Sequence, residues 1–349
     1  MKNLSFIRSL DPACRKQDNR AMASHDVALK NEIQELRSKH NALILAHYYE
    51  DGAIQDLADH VGDSLALAQW GQRTDNPVVL MAGVVFMAES VKLLSPNKRV
   101  LVPDTKAGCS LVDHSPYKKY LEWRLQYPDA ICLTYVNSSA EVKAITDVCV
   151  TSSNAEKIVD AIPKDRRILF GPDRNLGRYL AKKLGREMIL WDGSCEVHVL
   201  FSSRRLQELK LRYPKALVIA HPECDPAILA ESDVIGSTSR LLDEVKNNRE
   251  RTQFIVATEH GILHQMQRAR PDAELIQAPA EGSCACNECP YMKLNTLEKI
   301  RDALKSLSPE VTVREDVQTL AKVSLERMMA ITEGRAVDWP SVFKDPGLK

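Results

Sequence analysis

The chain has 349 residues, 44% of them hydrophobic and 27% charged, which is the mix of a protein that buries the cores of two or three domains. Its 47 basic and 47 acidic residues cancel. That balance argues against nucleic acid or an anionic membrane as the main partner, because both need a basic surface. The 5% of aromatic residues are too few for a base-stacking surface.

The apolar run from Pro77 to Ala88 stops at Glu89 and is too short to cross a bilayer. The first residues lack the apolar stretch of a secretory signal and carry Asp11, Asp18 and Asp26. A cytoplasmic location is expected. There, nine cysteines point to metal or redox chemistry rather than a disulfide framework.

After an N-terminal extension (1–25), residues 26–40 read as an amphipathic helix with Leu29, Ile33 and Leu36 on one stripe. A buried strand from Ala42 to Ala46 exits at His47-Tyr48-Tyr49, and Gly62-Asp63-Ser64 opens a helix. A strand–turn–helix–strand segment then leads to Cys109. The same order recurs after LEWRLQYP, with a strand exit at Tyr135-Val136-Asn137, a helix start at Ser152-Ser153 and an end at Cys195. It recurs again after LQELKLRYP, with His221-Pro222-Glu223, Ser237-Thr238 and a cluster of Cys284, Cys286 and Cys289. From exit to helix start the spacing is 17 residues in every copy, and from the second turn to the cysteine it is 26, 24 and 26, the last measured to Cys284. A period shared by three segments is an internal repeat.

Strands alternating with helices mean βαβ units and parallel sheets. The expected fold is α/β, with three repeated three-layer αβα domains (26–109, 110–195 and 196–289) around a pseudo-threefold axis and an active site at the centre. About nine strands are expected. Residues 290–349 read as helices packing back on the first domain. In such sheets the chemistry lies beyond the carboxyl ends of the strands.

Cys109, Cys195 and one of Cys284, Cys286 or Cys289 end equivalent segments. Three converging thiolates suit an iron–sulfur cluster with one iron left open, which turns the cluster into a Lewis acid. Repeat arithmetic favours Cys284, because Gly-Ser-Cys occurs at 193–195 and 282–284. The three clustered thiols would also suit zinc, or two of them a labile disulfide. Cys132 and Cys149 sit in apolar runs and read as core; no partner spacing marks Cys224 as a ligand. Ser64, Ser152 and Thr238 read as helix N-caps, and three helix starts around one axis would hold carboxylates or phosphate. Along extended chain His47 faces with Tyr49, Tyr135 with Asn137 and His221 with Glu223, a binding and acid–base set. His198, three residues after Cys195, reads as a satisfied polar residue ahead of a role supporting the metal site.

The motifs LAHYY, GDSL, FMAES, TYVNSSAEVK, VTSSNA, FGPDRNL, AHPEC, GSTS and CPYMKLNTL, in this order from about residue 40 to 305, resemble the quinolinate synthase family. The resemblance implies a transferase of NAD biosynthesis that condenses iminoaspartate with dihydroxyacetone phosphate to quinolinate, phosphate and water. It implies a [4Fe–4S] cluster on Cys109, Cys195 and Cys289, the last replacing the Cys284 of the repeat count. Cys284 and Cys286 become extra thiols and a candidate redox switch. His47, Ser64, Tyr135, Asn137, Ser152, His221, Glu223 and Thr238 would surround the substrates. Tyr49, His221 and Glu223 would be catalytic, and L-aspartate oxidase is the expected functional partner. The competing readings are another open-iron [4Fe–4S] hydro-lyase and a non-catalytic redox-sensing cluster protein.

Overall fold

The computed structural model describes residues 12–281 and 287–348, so Cys284 and Cys286 lie outside the described residues. The first unit runs α1 (Pro12–His40), β1 (Ala42–His47), α2 (Gly52–Gln55), β2 (His60–Gly62), α3 (Ser64–Arg73), β3 (Val78–Ala82), α4 (Val85–Leu94), β4 (Arg99–Leu101) and α5 (Ser110–Asp113). The second repeats this order as α6 (Tyr117–Leu125), β5 (Ile131–Tyr135), α7 (Ala140–Ala144), β6 (Val148–Val150), α8 (Ala155–Ala161), β7 (Ile168–Gly171), α9 (Arg174–Leu184) and β8 (Ile189–Leu190). The third runs α10 (Ser203–Arg212), β9 (Leu217–Ala220), α11 (Pro226–Ala230), β10 (Val234–Ile235), α12 (Thr238–Asn247), β11 (Gln253–Ala257), α13 (Ile262–Ala269) and β12 (Glu274–Gln277).

The three sheets share one topology, β2-β1-β3-β4, β6-β5-β7-β8 and β10-β9-β11-β12, with every pairing parallel. The described strands number twelve rather than about nine. The additional edge strands β2, β6 and β10 are two or three residues long, too short to carry a period of their own. In each unit the order switches direction between the first and third strands, which opens a crevice at their carboxyl ends.

One aspartate per unit fixes the register of each edge strand. Asp59, Asp147 and Asp233 each accept the backbone N–H of the residue 15 positions earlier, Ile44, Cys132 and Val218, at 2.8 Å. Each aspartate N–H donates back to the carbonyl of that same residue, at 2.9, 3.1 and 2.8 Å. A one-residue slip would break both bonds and turn the strand's buried face outward.

The first and second units share one core in which Leu45, Val79 and Met87 meet Leu133, Val148 and Ile158. The third sheet has separate clusters on its two faces, around Val218 and Ile255 and around Ile219 and Val256. Tyr48 and Tyr49 pack against the second of these, and polar groups also join the third unit to the others. Examples are Gln55 Nε2 donating to the Gly261 carbonyl at 2.9 Å and Asn175 Nδ2 to the Glu223 carbonyl at 3.1 Å. The C-terminal helices divide. Helix α14 (Leu297–Ser306) lies on α1, whereas α15 (Glu315–Thr332) lies mainly on α7 and β6 of the second unit, where Leu325 and Met328 enter the shared core.

Candidate active site

The strand exits of the three units face one central cavity, and all twelve site residues expected from the sequence line it. His47 and His221 occupy matching turns. The Tyr49 N–H donates to His47 Nδ1 at 3.2 Å, and the Glu223 N–H to His221 Nδ1 at 3.4 Å. These exits are turns rather than extended chain: the Glu50 N–H returns to the His47 carbonyl at 3.1 Å and the Cys224 N–H to the His221 carbonyl at 3.0 Å. The turns still bring His47 together with Tyr49 and His221 with Glu223. Because each Nδ1 accepts a hydrogen bond, each neutral imidazole carries its hydrogen on Nε2. Burial favours that neutral form, lowering His47 to about 4 and His221 to about 3. His221 Nε2 sits 3.2 Å from Ser152 Oγ of the second unit.

Glu223 is the electrostatic hub. Burial alone would raise its carboxyl, but His198, His221 and a bond from the Tyr135 hydroxyl outweigh burial and hold it well below the usual carboxylate range. His198 Nδ1 lies 2.9 Å from Glu223 Oε2 and 3.2 Å from Cys195 Sγ. Its Nε2 lies 3.0 Å from Thr258 Oγ1, which lies 2.7 Å from the Tyr49 hydroxyl. With Glu223 ionised, one proton arrangement satisfies the row: Tyr49 donates to Thr258, Thr258 to His198 Nε2, and His198 Nδ1 to Glu223. Burial, with Glu223 second, keeps the Tyr49 phenol protonated far above its ordinary range. His198 is thus a member of the site, contrary to its sequence reading, and Thr258 went unread.

The three hydroxyls stand at the helix starts, one or two places from where the caps fall. The side chains that cap α3 and α12 are Asp63, accepting from the Ala66 N–H, and Ser237, accepting from the Arg240 N–H. Ser64 and Thr238 are the first helical residues. Ser152 lies two residues before Asn154, which flanks α8 without a capping bond. Not being engaged as caps frees Ser64, Ser152 and Thr238 to face the cavity. Asn137 also lines it, and its Oδ1 is buried without a partner. A buried acceptor left unpaired in the free protein is a place for a ligand donor.

Cys109, Cys195 and Cys289 come from three loops of one design. The carbonyl two residues before each, on Ala107, Gly193 and Asn287, accepts the N–H of Val85, Arg174 and His260, at 2.8, 2.8 and 3.0 Å. The carbonyl of each cysteine accepts the N–H four residues on, from Asp113, Val199 and Lys293, at 3.1, 3.2 and 3.2 Å. Backbone equivalence therefore falls on Cys289, and the extra residues of the third loop lie before it.

A sequence model described as Quinolinate synthetase A protein matches residues 31–330. A quinolinate synthase from Synechocystis sp. is 51% identical over 304 residues, covering 87% of this chain and 95% of the relative. One from Chloroherpeton thalassium is 50% identical over 307 residues, with 87% and 95% covered, and one from Nostoc punctiforme 47% over 320, with 92% and 98% covered. The chain belongs to the quinolinate synthase family. It is an enzyme.

For a quinolinate synthase, the donor set matters most. Three thiols from three loops line the same cavity. Burial, with Cys289 adding, pushes Cys109 up to about 12. Burial, Glu223 and Cys109 push Cys195 well above its ordinary range. Burial raises Cys289 to about 11. Against this, the helical turn after each cysteine aims amides at the sulfur: Leu111 and Val112 at Cys109, His198 at Cys195, Tyr291 and Met292 at Cys289. Thiols that resist ionisation alone, yet are lined with N–H donors for a charged sulfur, fit a metal cluster as the missing positive partner. Cys195 Sγ, a ring nitrogen of His198 and a carboxylate oxygen of Glu223 also lie within 4.8 Å of one another. His198 and Glu223 already bond each other, which leaves sulfur as the available donor. The other buried cysteines are elsewhere: Cys132 and Cys149 are core, and Cys224 donates its S–H to the Ala257 carbonyl at 3.3 Å.

Proposed function

We propose that this enzyme acts in the cytoplasm in NAD biosynthesis, condensing iminoaspartate with dihydroxyacetone phosphate to form quinolinate, phosphate and water. The observation that carries the reading is the convergence of the thiols of Cys109, Cys195 and Cys289 with the polar strand exits on one cavity. A [4Fe–4S] cluster held by those three cysteines would supply a Lewis-acidic iron that polarises a substrate oxygen.

The chain's own residues divide the remaining work. Ser64, Ser152 and Thr238, with the amides beside them, hold the carboxylates and the phosphate. Asn137 offers a carbonyl oxygen to a substrate N–H or O–H. His47 and His221, neutral, present Nε2–H as hydrogen-bond donors without carrying charge. Glu223 is the ionised base. Tyr49, protonated, gives its hydrogen to a departing hydroxyl, and Thr258, hydrogen-bonded between Tyr49 and His198, holds the phenol in place. An L-aspartate oxidase is the source of iminoaspartate in this reading.

The test is anaerobic purification with iron and sulfide analysis and a quinolinate assay, on single Cys→Ala variants. Loss of iron in the Cys109, Cys195 and Cys289 variants is expected. A cluster retained in Cys289→Ala and lost in Cys284→Ala would move the third ligand, and wild-type protein with a full cluster and no quinolinate would reject the reaction.

A further inference from the structure

One carboxylate joins all three units beside the site. Asp63 stands between β2 and α3 of the first unit, nearly buried at 7% exposure, and Oδ1 accepts the Ala66 N–H at 2.9 Å. Its Oδ2 accepts two hydroxyls at once, Ser153 Oγ of the second unit at 2.6 Å and Ser239 Oγ of the third at 2.7 Å. Each partner is the chain neighbour of a cavity hydroxyl: Asp63 precedes Ser64, Ser153 follows Ser152, and Ser239 follows Thr238. Their segments are 90 and 176 positions from Asp63, so no local turn chemistry accounts for the meeting.

We propose that Asp63 is a positioning residue which sets the mutual spacing of Ser64, Ser152 and Thr238, and so makes the site selective for a substrate set whose anionic groups engage all three helix starts together. The inference rests on the reading of those hydroxyls as anion-holding. Two physical facts support it. Hydroxyl-to-carboxylate bonds are charge-assisted and directional, so a single oxygen with two such donors fixes both in distance and angle. Among the described residues the third unit's apolar clusters are separate from the core of the other two and meet it through Tyr49, so polar ties such as this one help fix its approach. A negative charge at the first turn also favours the α3 start it caps.

The serine arms test the idea without disturbing the cap on Ala66. Ser153→Ala, Ser239→Ala and the double variant are compared with Ser153→Thr, which keeps a hydroxyl. Hydrogen exchange is followed at the starts of α3, α8 and α12, and KM and kcat are measured for quinolinate formation. In the double variant, exchange is expected to quicken at all three helix starts, α3 included. KM for both substrates is expected to rise about tenfold, with kcat changed much less. Ser153→Thr should restore wild-type values. Faster exchange only at the substituted helices, or an unchanged KM in the double variant, would overturn the proposal. Wild-type protein that makes no quinolinate would remove the reaction reading, and the exchange comparison would still decide whether Asp63 ties the three units.

Discussion

The Tyr49 hydroxyl lies 2.7 Å from Thr258 Oγ1, joining the first strand exit to a residue 209 positions later. Thr258 passes the contact on to His198 Nε2 at 3.0 Å. Tyr49→Phe should therefore lose turnover by about 10²-fold or more, the usual worth of a positioned acid, while iron and sulfide stay unchanged. Thr258→Val, similar in shape but without the hydroxyl that holds the phenol, should lower kcat with little change in KM, and Thr258→Ser should restore it. Steady-state assays with metal analysis check both. Full activity in Thr258→Val would show that the Thr258 hydroxyl does not position Tyr49.

Gly261 is placed where any side chain would strike the same turn. A Cβ there would meet the Tyr49 carbonyl carbon at 2.8 Å and the Glu50 oxygen at 2.9 Å, both backbone atoms. Its φ of −57° suits any residue, so only the close approach requires glycine. Gly261→Ala should displace the Tyr49 turn, lower kcat, and leave the cluster content near wild type. A crystal structure of the variant with an unmoved Tyr49 would contradict this.

Glu50 is fully buried, accepts Asn295 Nδ2 on Oε1 at 2.7 Å, and leaves Oε2 unpartnered. Burial raises it from 4.5 to about 8. Between those values the folded chain holds a proton that the unfolded chain has lost, so this group's contribution to stability falls as pH rises through about 8. Glu50→Gln mimics the protonated form and should remove that slope. Denaturation of both proteins across this range should show a stability gap that grows with pH in favour of the variant. A constant gap would mean that Glu50 is already ionised.

Asp147 carries two duties, the register bond to Cys132 and an ion pair at 2.8 Å with Arg124, whose side chain is 2% exposed. Asp147→Ala leaves a buried guanidinium without its counter-charge and should cost about 3–5 kcal/mol. Asp233→Ala removes the same kind of backbone bond at an exposed position and should cost about 1 kcal/mol. Urea denaturation of the two variants, with equal losses as the contrary result, decides whether the buried pair dominates.

Three features of the chain made the fold readable. The spacing of 17 from exit to helix start is common to all copies, buried strands are continuous apolar runs, and Tyr-Pro breaks separate two of the copies. What escaped was local. Asp63 and Ser237 sit one place before Ser64 and Thr238, and in a row of adjacent polar residues composition alone does not say which one caps. The repeat count alone favours Cys284 over Cys289 because the third loop carries extra residues; the motif CPYMKLNTL points to Cys289, and the backbone bonds around Cys289 match those of the other two loops. His198 was passed over because its counterparts three residues after the other cysteines are Val112 and Met292, so the repeat gave no signal there. Thr258 lies within an apolar strand's exit, and its role depends on a meeting of units that no spacing encodes.

The order of the walls along the chain has a consequence for biosynthesis. Each sheet is registered by its own aspartate, so strand order within a unit is set by bonds local to that unit. The chamber has no such independence. Its last wall residue is Met292, so a nascent polypeptide has the first two sulfurs long before it has anywhere to enclose them. Premature termination before that residue leaves the chamber without its third sulfur's wall and yields no catalyst.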